Sequence, residues 1–308
     1  MKPFRRGRFE DLPERPRVPH PYFDTEVTEL IVRSPHFRDP KIHVREWGSG
    51  PPLLLIHGFM TSSYSFRHVL EPLGRHHRLL IPDLPGAGRS DKPDVSYDAP
   101  SLARFVVELV DALGVRGCVA LGNSLGGYLS MRAVLHDPGV FSRLVNVHSP
   151  GLPELRLSAL GALVKVPGTR ALTAYLARRS PLRWVHRNVH YYDESLKSLE
   201  EAREYGTPLS TAEGSWAFSR MLAEVLRPRD LAEFEQALAA RRDRGLGFPI
   251  PLQLIYAEQD PMVPPAIGKR LSALVPDAEV HWLGETSHFT HVDSPERLVP
   301  LVSRFFSA

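Results

Sequence analysis

The sequence predicts an α/β protein built on a mainly parallel sheet, and three observations carry that expectation. Leu53-Leu54-Leu55-Ile56-His57 is an uninterrupted apolar run, the pattern of a strand covered on both faces. Strand and helix patterns alternate up to about residue 150 and resume from Pro249. Between them, residues 151–247 carry helical periodicity and no convincing strand, so a helical insertion interrupts one α/β unit.

Taken in order, residues 1–26 hold five prolines and read as an extended arm or surface strap. The spacing predicts strands over Val27–Arg33, Lys41–Trp47 and Leu53–His57, with a Gly-Ser-Gly-Pro-Pro turn before the third. A helix is predicted near Tyr64–Leu73, a strand over His77–Pro82, a helix over Pro100–Leu113 and a strand over Gly117–Leu121. A helix from Leu125 to Asp137 stops before Pro138, and Arg143–Val147 is a further strand. In the insertion, helices are predicted over Thr169–Tyr192, Glu194–Tyr205, Thr211–Leu226 and Asp230–Arg242. Ser210 and Glu213 there form a capping-box pattern. Strands over Pro251–Ala257 and Glu279–Leu283 alternate with helices over Pro265–Leu274 and Pro295–Phe306. The expected organisation is an extension (1–26), a core (27–150 and 248–308) and a helical cap (151–247).

Composition excludes several classes. The chain has 308 residues, 43% hydrophobic and 24% charged, as in a globular protein able to bury a large core. The net charge of +3 resides in the first twenty residues, and the rest balances, which argues against nucleic-acid binding. Cys118 is the single cysteine, so an intrachain disulfide and a cysteine metal cluster are excluded; its apolar neighbours predict a buried thiol. The Arg- and Pro-rich start lacks an apolar signal region, and no apolar run is long enough to span a bilayer. The expected location is the cytoplasm.

The chemistry centres on Gly122-Asn123-Ser124-Leu125-Gly126-Gly127. It matches G-x-S-x-G between a predicted strand and a predicted helix, the setting of a nucleophile elbow. A serine there adopts strained backbone angles, and glycines two before and two after let strand and helix close together. Serine is a weak nucleophile and needs a base. His288, after the last predicted strand, lies where open α/β sheets bind ligands; His291 is its nearest competitor. Asp260, at the end of the Leu254–Ala257 strand, is the acid that would orient the imidazole, with Glu258 as rival. Alternatively, Asp260 caps the helix after Pro264. The chain order Ser124, Asp260, His288 is one of three known triad orders. Two backbone N–H groups would hold the oxyanion, those of Leu125 and of Phe59 in His57-Gly58-Phe59-Met60. His57 could instead be paired within its own turn.

These features resemble the α/β-hydrolase superfamily over residues 27–308. The loops at His57-Gly58 and at Asp83-Leu84-Pro85-Gly86-Ala87-Gly88-Arg89-Ser90-Asp91 are similar to those after the family's third and fourth strands. The resemblance implies an eight-stranded sheet and a helical cap that roofs the site. Ala257 departs from a glycine the family often has three residues before its acid. Haloalkane dehalogenases and epoxide hydrolases of the family use an aspartate nucleophile, whereas residue 124 is Ser, and Phe59 replaces the dehalogenase asparagine. Meta-cleavage hydrolases often read G-N-S-M-G-G, close to residues 122–127, but carry a tryptophan after the histidine where this chain has Phe289. They also have a glycine-rich loop where this chain has Phe59-Met60-Thr61. The expected function is therefore a cofactor-free and metal-free serine hydrolase acting on a carboxylic ester of a small or medium apolar molecule. The alternatives are a carbon–carbon hydrolase or acyltransferase with the same triad, and a non-catalytic ligand-binding relative.

Weaker signals lie in the insertion. His186 and His190, with Asp193 one turn on, have metal-ligand spacing but no evident fourth ligand, and a packing face is expected. Leu160, Leu163, Val164, Tyr175, Leu176, Trp184, Trp216, Phe218 and Met221 are candidates to line an apolar pocket or to pack the cap. The Arg178–Arg183 run reads as a solvated face.

Overall fold

The computed structural model describes residues 3–154 and 168–308. Its sheet has eight strands, β1 Glu26–Ile31, β2 Lys41–Trp47, β3 Pro52–Ile56, β4 Arg78–Pro82, β5 Cys118–Asn123, β6 Phe141–Val147, β7 Leu252–Ala257 and β8 Glu279–Leu283. They lie in the order β1-β2-β4-β3-β5-β6-β7-β8. β2 runs antiparallel to both neighbours, and every pairing from β4 to β8 is parallel. The central strands are covered on both faces: Leu53 to Ile56 and Leu252 to Ala257 are all buried.

Helices α1 Leu70–Gly74, α2 Ala99–Ala112, α3 Leu125–His136, α9 Pro265–Leu274, α10 Thr290–Asp293 and α11 Pro295–Ser307 belong to the α/β part. Asp98 accepts from Ser101 N–H and caps α2, with Pro100 in the first turn. Between β6 and β7 come α4 Thr169–Arg179, α5 Pro181–Asn188, α6 Leu199–Gly206, α7 Ala212–Glu224 and α8 Pro228–Asp243, the inserted helical cap.

Several boundaries differ from expectation for identifiable reasons. The Tyr64–Leu73 helix is a 3-10 turn at Ser63–Phe66 followed by the short α1. The long Thr169–Tyr192 helix breaks at Ser180 (φ −147°, ψ 64°), where Pro181 starts α5, and α5 ends at Asn188. The Glu194–Tyr205 helix is a 3-10 turn (Glu194–Leu196) followed by α6, because Ser198 caps a new start. Thr211, not Ser210, caps α7: its hydroxyl receives Gly214 N–H, while the Ser210 hydroxyl donates back to Thr207 O.

The N-terminal segment is a strap. Phe4 N–H donates to Tyr192 O, and His186 Nε2–H donates to Gly7 O. Pro13 O and Glu14 O receive the N–H groups of Leu199 and Glu200 at the start of α6. Further on, Tyr22 is fully buried with the Arg45 guanidinium 4.2 Å above its ring. The segment thus contacts the cap at one end and the sheet at the other. Cys118 is free and buried, and burial pushes its thiol up to about 12.

Candidate active site

Ser124 sits between β5 and α3 with φ 52° and ψ −117°, in a region costly for any residue but glycine. The neighbours make room for it. A Cβ on Gly122 would lie 2.5 Å from Gly126 C and Gly127 N, and one on Gly126 would collide with Ile56 O. Strand, elbow and helix close together only because both positions lack a side chain. Ser124 N–H donates to Val147 O (2.7 Å), and Tyr128 N–H to Ser124 O (3.1 Å). These bonds fix the elbow against β6 and into the first turn of α3.

The loop after β3 lies against this turn. A Cβ on Gly58 would be 3.2 Å from Ser124 Cβ, so a side chain there would press on the elbow and force it to give by a few tenths of an ångström. Phe59 and Leu125 thus flank the serine in chain position, one on the adjoining loop and one opening α3. Met60, in this loop, has φ 65°, a left-handed conformation unfavourable for a side chain of its kind. His57 is committed within the fold: Nδ1–H donates to Gly58 O (2.8 Å) and Nε2 receives Leu84 N–H (3.0 Å). The Asp83 loop is scaffold too. The Asp83 carboxylate receives Ser63 N–H (2.7 Å) and Arg89 N–H (2.8 Å).

His288 and Asp260 meet: His288 Nδ1–H donates to Asp260 Oδ2 at 2.7 Å. This bond directs the other ring nitrogen, Nε2, away from the acid. The backbone of His288 is tied to the elbow, since Asn123 Nδ2–H donates to His288 O (3.0 Å). Asp260 Oδ1 receives the N–H groups of Met262 (2.7 Å) and Val263 (2.9 Å). The carboxylate therefore shapes its own turn and does not cap α9, whose first flanking residue is Pro264. Burial pushes the Asp260 carboxyl up, but His288 and its hydrogen bond outweigh it and hold the group well below the carboxylate range. The rivals fall away. Glu258 is exposed, and His291 is buried and driven neutral, its pKa pushed down by burial and by Arg67.

Sequence reasoning missed His148. It follows β6 with φ 57°, fully buried, its Nδ1 3.3 Å from Asp260 Oδ2. Nδ1 receives Ala257 N–H (3.2 Å), so the proton sits on Nε2 and is donated to Thr290 Oγ1 (2.7 Å). Burial pushes its pKa down, which keeps it neutral. His148, Asp260 and His288 bring three potential metal-ligand atoms within 4.8 Å of one another. Both His148 nitrogens and both Asp260 oxygens are already engaged, so the donor set is spent on hydrogen bonds. The one available signal was position: His148 ends the strand next to the one that precedes Asp260.

Between the loop after β3 and the cap lies a small cleft of about 30 Å³, lined by Phe59, Met60, Thr61, Leu209, Phe218 and Met221 among others, and neither Ser124 nor His288 lines it. Phe59 and Phe218 stack, with centroids 5.1 Å apart and planes at 8°. Of the pocket candidates, Phe218 and Met221 line this cleft, whereas Tyr175 and Leu176 face outward and are exposed. Leu160, Leu163 and Val164 lie outside the described residues. The possible metal pair does not form: His186 bonds Gly7 O, and His190, beyond the end of α5, pairs with Glu194. No helix among the described residues is long and apolar enough to cross a membrane.

Comparison with known proteins identifies the fold. A family model described as alpha/beta hydrolase fold matches residues 51–295. The uncharacterized hydrolase YugF of Bacillus subtilis is 30% identical over 255 residues, 82% of this chain and 89% of the relative. A 2-hydroxy-6-oxo-2,4-heptadienoate hydrolase of Pseudomonas putida is 26% identical, covering 86% of this chain and 92% of the relative. The haloalkane dehalogenase DatA of Agrobacterium tumefaciens superposes with a TM-score of 0.75 at 23% identity, over 94% of this chain and 99% of that one. With the sheet order, the cap between β6 and β7 and the family match over most of its length, the chain belongs to the α/β-hydrolase family.

Proposed function

We propose that this chain is a serine hydrolase that attacks a ketone carbonyl and breaks the adjacent carbon–carbon bond, with Ser124 as nucleophile, His288 as base and Asp260 as its orienting acid. The observation that carries the catalytic part is the 2.7 Å His288–Asp260 bond, whose histidine backbone is tied to the elbow through Asn123. The choice of bond rests on the relative named as a heptadienoate hydrolase, which aligns over 86% of the chain. Halide displacement, the activity in the name of other relatives, fits less well, because a serine alkylated at Oγ would form an ether that water does not readily release.

The steps follow from the chemistry. His288 Nε2 takes the Ser124 proton while Oγ adds to the carbonyl, and the Phe59 and Leu125 N–H groups receive the oxyanion. Collapse breaks the carbon–carbon bond. A 2-hydroxydienoate must first ketonise, losing its 2-hydroxyl proton and gaining one at C5, so that the electron pair released from C5 delocalises onto the 2-keto oxygen, and His288 then returns the Ser124 proton to that fragment. Water, deprotonated by His288, then releases the acyl group as a carboxylic acid. Asp260 stays charged throughout, so its own titration should leave no break in kcat/KM at mild pH, and a break there from Asp260 would contradict this assignment.

The cleft favours a second reading. Its described lining contains no charged side chain, which suits an apolar acyl group and an ester, whereas a dienoate brings a carboxylate that calls for a cation. The two readings separate directly. Loss of the visible absorbance of 2-hydroxy-6-oxohepta-2,4-dienoate, with acetate as product, supports carbon–carbon cleavage. Turnover of p-nitrophenyl esters alone, with an optimum between acetate and laurate, supports the esterase. Failure on both series, with no labelling of Ser124 by a phosphonate, would overturn the serine-hydrolase reading.

A further inference from the structure

The outer face of α4 exposes a cluster of large apolar side chains. Leu172, Tyr175 and Leu176 are 56%, 51% and 43% exposed. Their spacing puts them on one side of the helix, opposite the buried Ala174 and Ala177. Arg179 falls in the middle of that apolar stripe and Arg178 at its edge, both exposed. Arg170 and Arg183 have partners in Glu224 and Glu10, whereas no ion pair of Arg178 or Arg179 occurs among the described residues. From Gly168 to Tyr192 the sequence has five arginines and not one Asp or Glu. A helix that shows water three large apolar side chains and unpaired arginines on one face has the composition of an interfacial helix.

We propose that α4 docks the cap onto an anionic lipid surface, with Leu172, Tyr175 and Leu176 entering the headgroup region and Arg178 and Arg179 meeting lipid phosphates. Apolar insertion and basic charge are each weak alone, and their combination gives stable but reversible attachment. Tyrosine suits the interface, and arginine can extend its guanidinium to the phosphates while its stem covers apolar surface. Charge selects this occupant over others. An isologous pair of copies packed on α4 would bury Arg178 and Arg179 with no carboxylate on the helix to receive them. A nucleic acid would answer the arginines but leave the leucines exposed. The docking is independent of which bond the active site breaks.

The test is sedimentation of the full chain with extruded vesicles of phosphatidylcholine alone and of phosphatidylcholine with about one-third phosphatidylglycerol. The expected result is partition onto the anionic vesicles only, falling at high salt. Removing a charge by Arg178→Gln or Arg179→Gln should weaken partition roughly fivefold. Leu172→Ser with Leu176→Ser should abolish it while leaving the far-ultraviolet circular dichroism and melting unchanged, because both side chains are exposed. Equal pelleting with and without anionic lipid would overturn the proposal. So would undiminished binding by the double serine variant, or a lipid-free dimer in sedimentation velocity that the same variant dissolves.

Discussion

Replacing Ser124 by alanine is expected to lower kcat about a millionfold on whichever substrate the wild type turns over, while leaving the protein folded. The alanine keeps the Cβ, so it meets the same backbone strain at φ 52°. The two main-chain bonds that fix the elbow, to Val147 O and from Tyr128 N–H, do not involve the hydroxyl. Loss of rate with unchanged unfolding therefore isolates the missing Oγ. Substrate binding should persist, because the variant removes only the hydroxyl. Single-turnover mixing separates the two quantities. A variant within tenfold of wild type would show that water, not serine, attacks the carbonyl. A variant that neither binds nor unfolds cooperatively would show that the elbow was broken, and Ser124→Cys would then be the control.

Much of this site was legible in the sequence, for local reasons. A strand covered on both faces writes an unbroken apolar run, so Leu53–Ile56 and Leu252–Ala257 stood out. The elbow was legible because each glycine answers a backbone contact within a few residues, as Gly122 does with Gly126 and Gly127. His288 and Asp260 were found from their positions after strands, and the structure joins them by a hydrogen bond. His148 was not found, because its link to Asp260 is made by the sheet order that seats β6 beside β7 across the whole cap insertion. The break at Ser180 carried a local sign, the Ser180-Pro181 dipeptide, which helical periodicity on both sides concealed. Tyr175 and Leu176 show the limit of periodicity itself. It marks an apolar stripe but not what the stripe faces.

The contact between core and cap is the other place where one substitution should have a large effect. Arg67, just after the Ser63–Phe66 turn, is completely buried, and its Nη2–H donates to Glu201 Oε2 on α6 at 2.6 Å. The same oxygen receives the Tyr191 hydroxyl at 2.6 Å, and the Arg67 guanidinium lies 4.5 Å from the Tyr64 ring centroid. Neither charge reaches water, so each is stabilised almost wholly by the other and by these phenol groups. Glu201→Ala leaves the Arg67 cation buried without its anion. It should lower the unfolding free energy by about 3–5 kcal/mol in urea titration. Arg67→Met with Glu201→Leu removes both charges and should recover most of that loss, since burying a pair gains little over apolar side chains of similar size. If the double variant were as unstable as Glu201→Ala, the loss would come from packing of α6 and not from the stranded charge. Activity gives a second reading of the same variants. The double variant keeps a stable fold but loses the directed bond between core and cap. If that bond sets the height of the cap over Phe59, the variant should turn over substrate with a raised KM and near-normal kcat. A fall in kcat alone would mean that the ion pair positions the elbow instead, through the loop that carries Arg67.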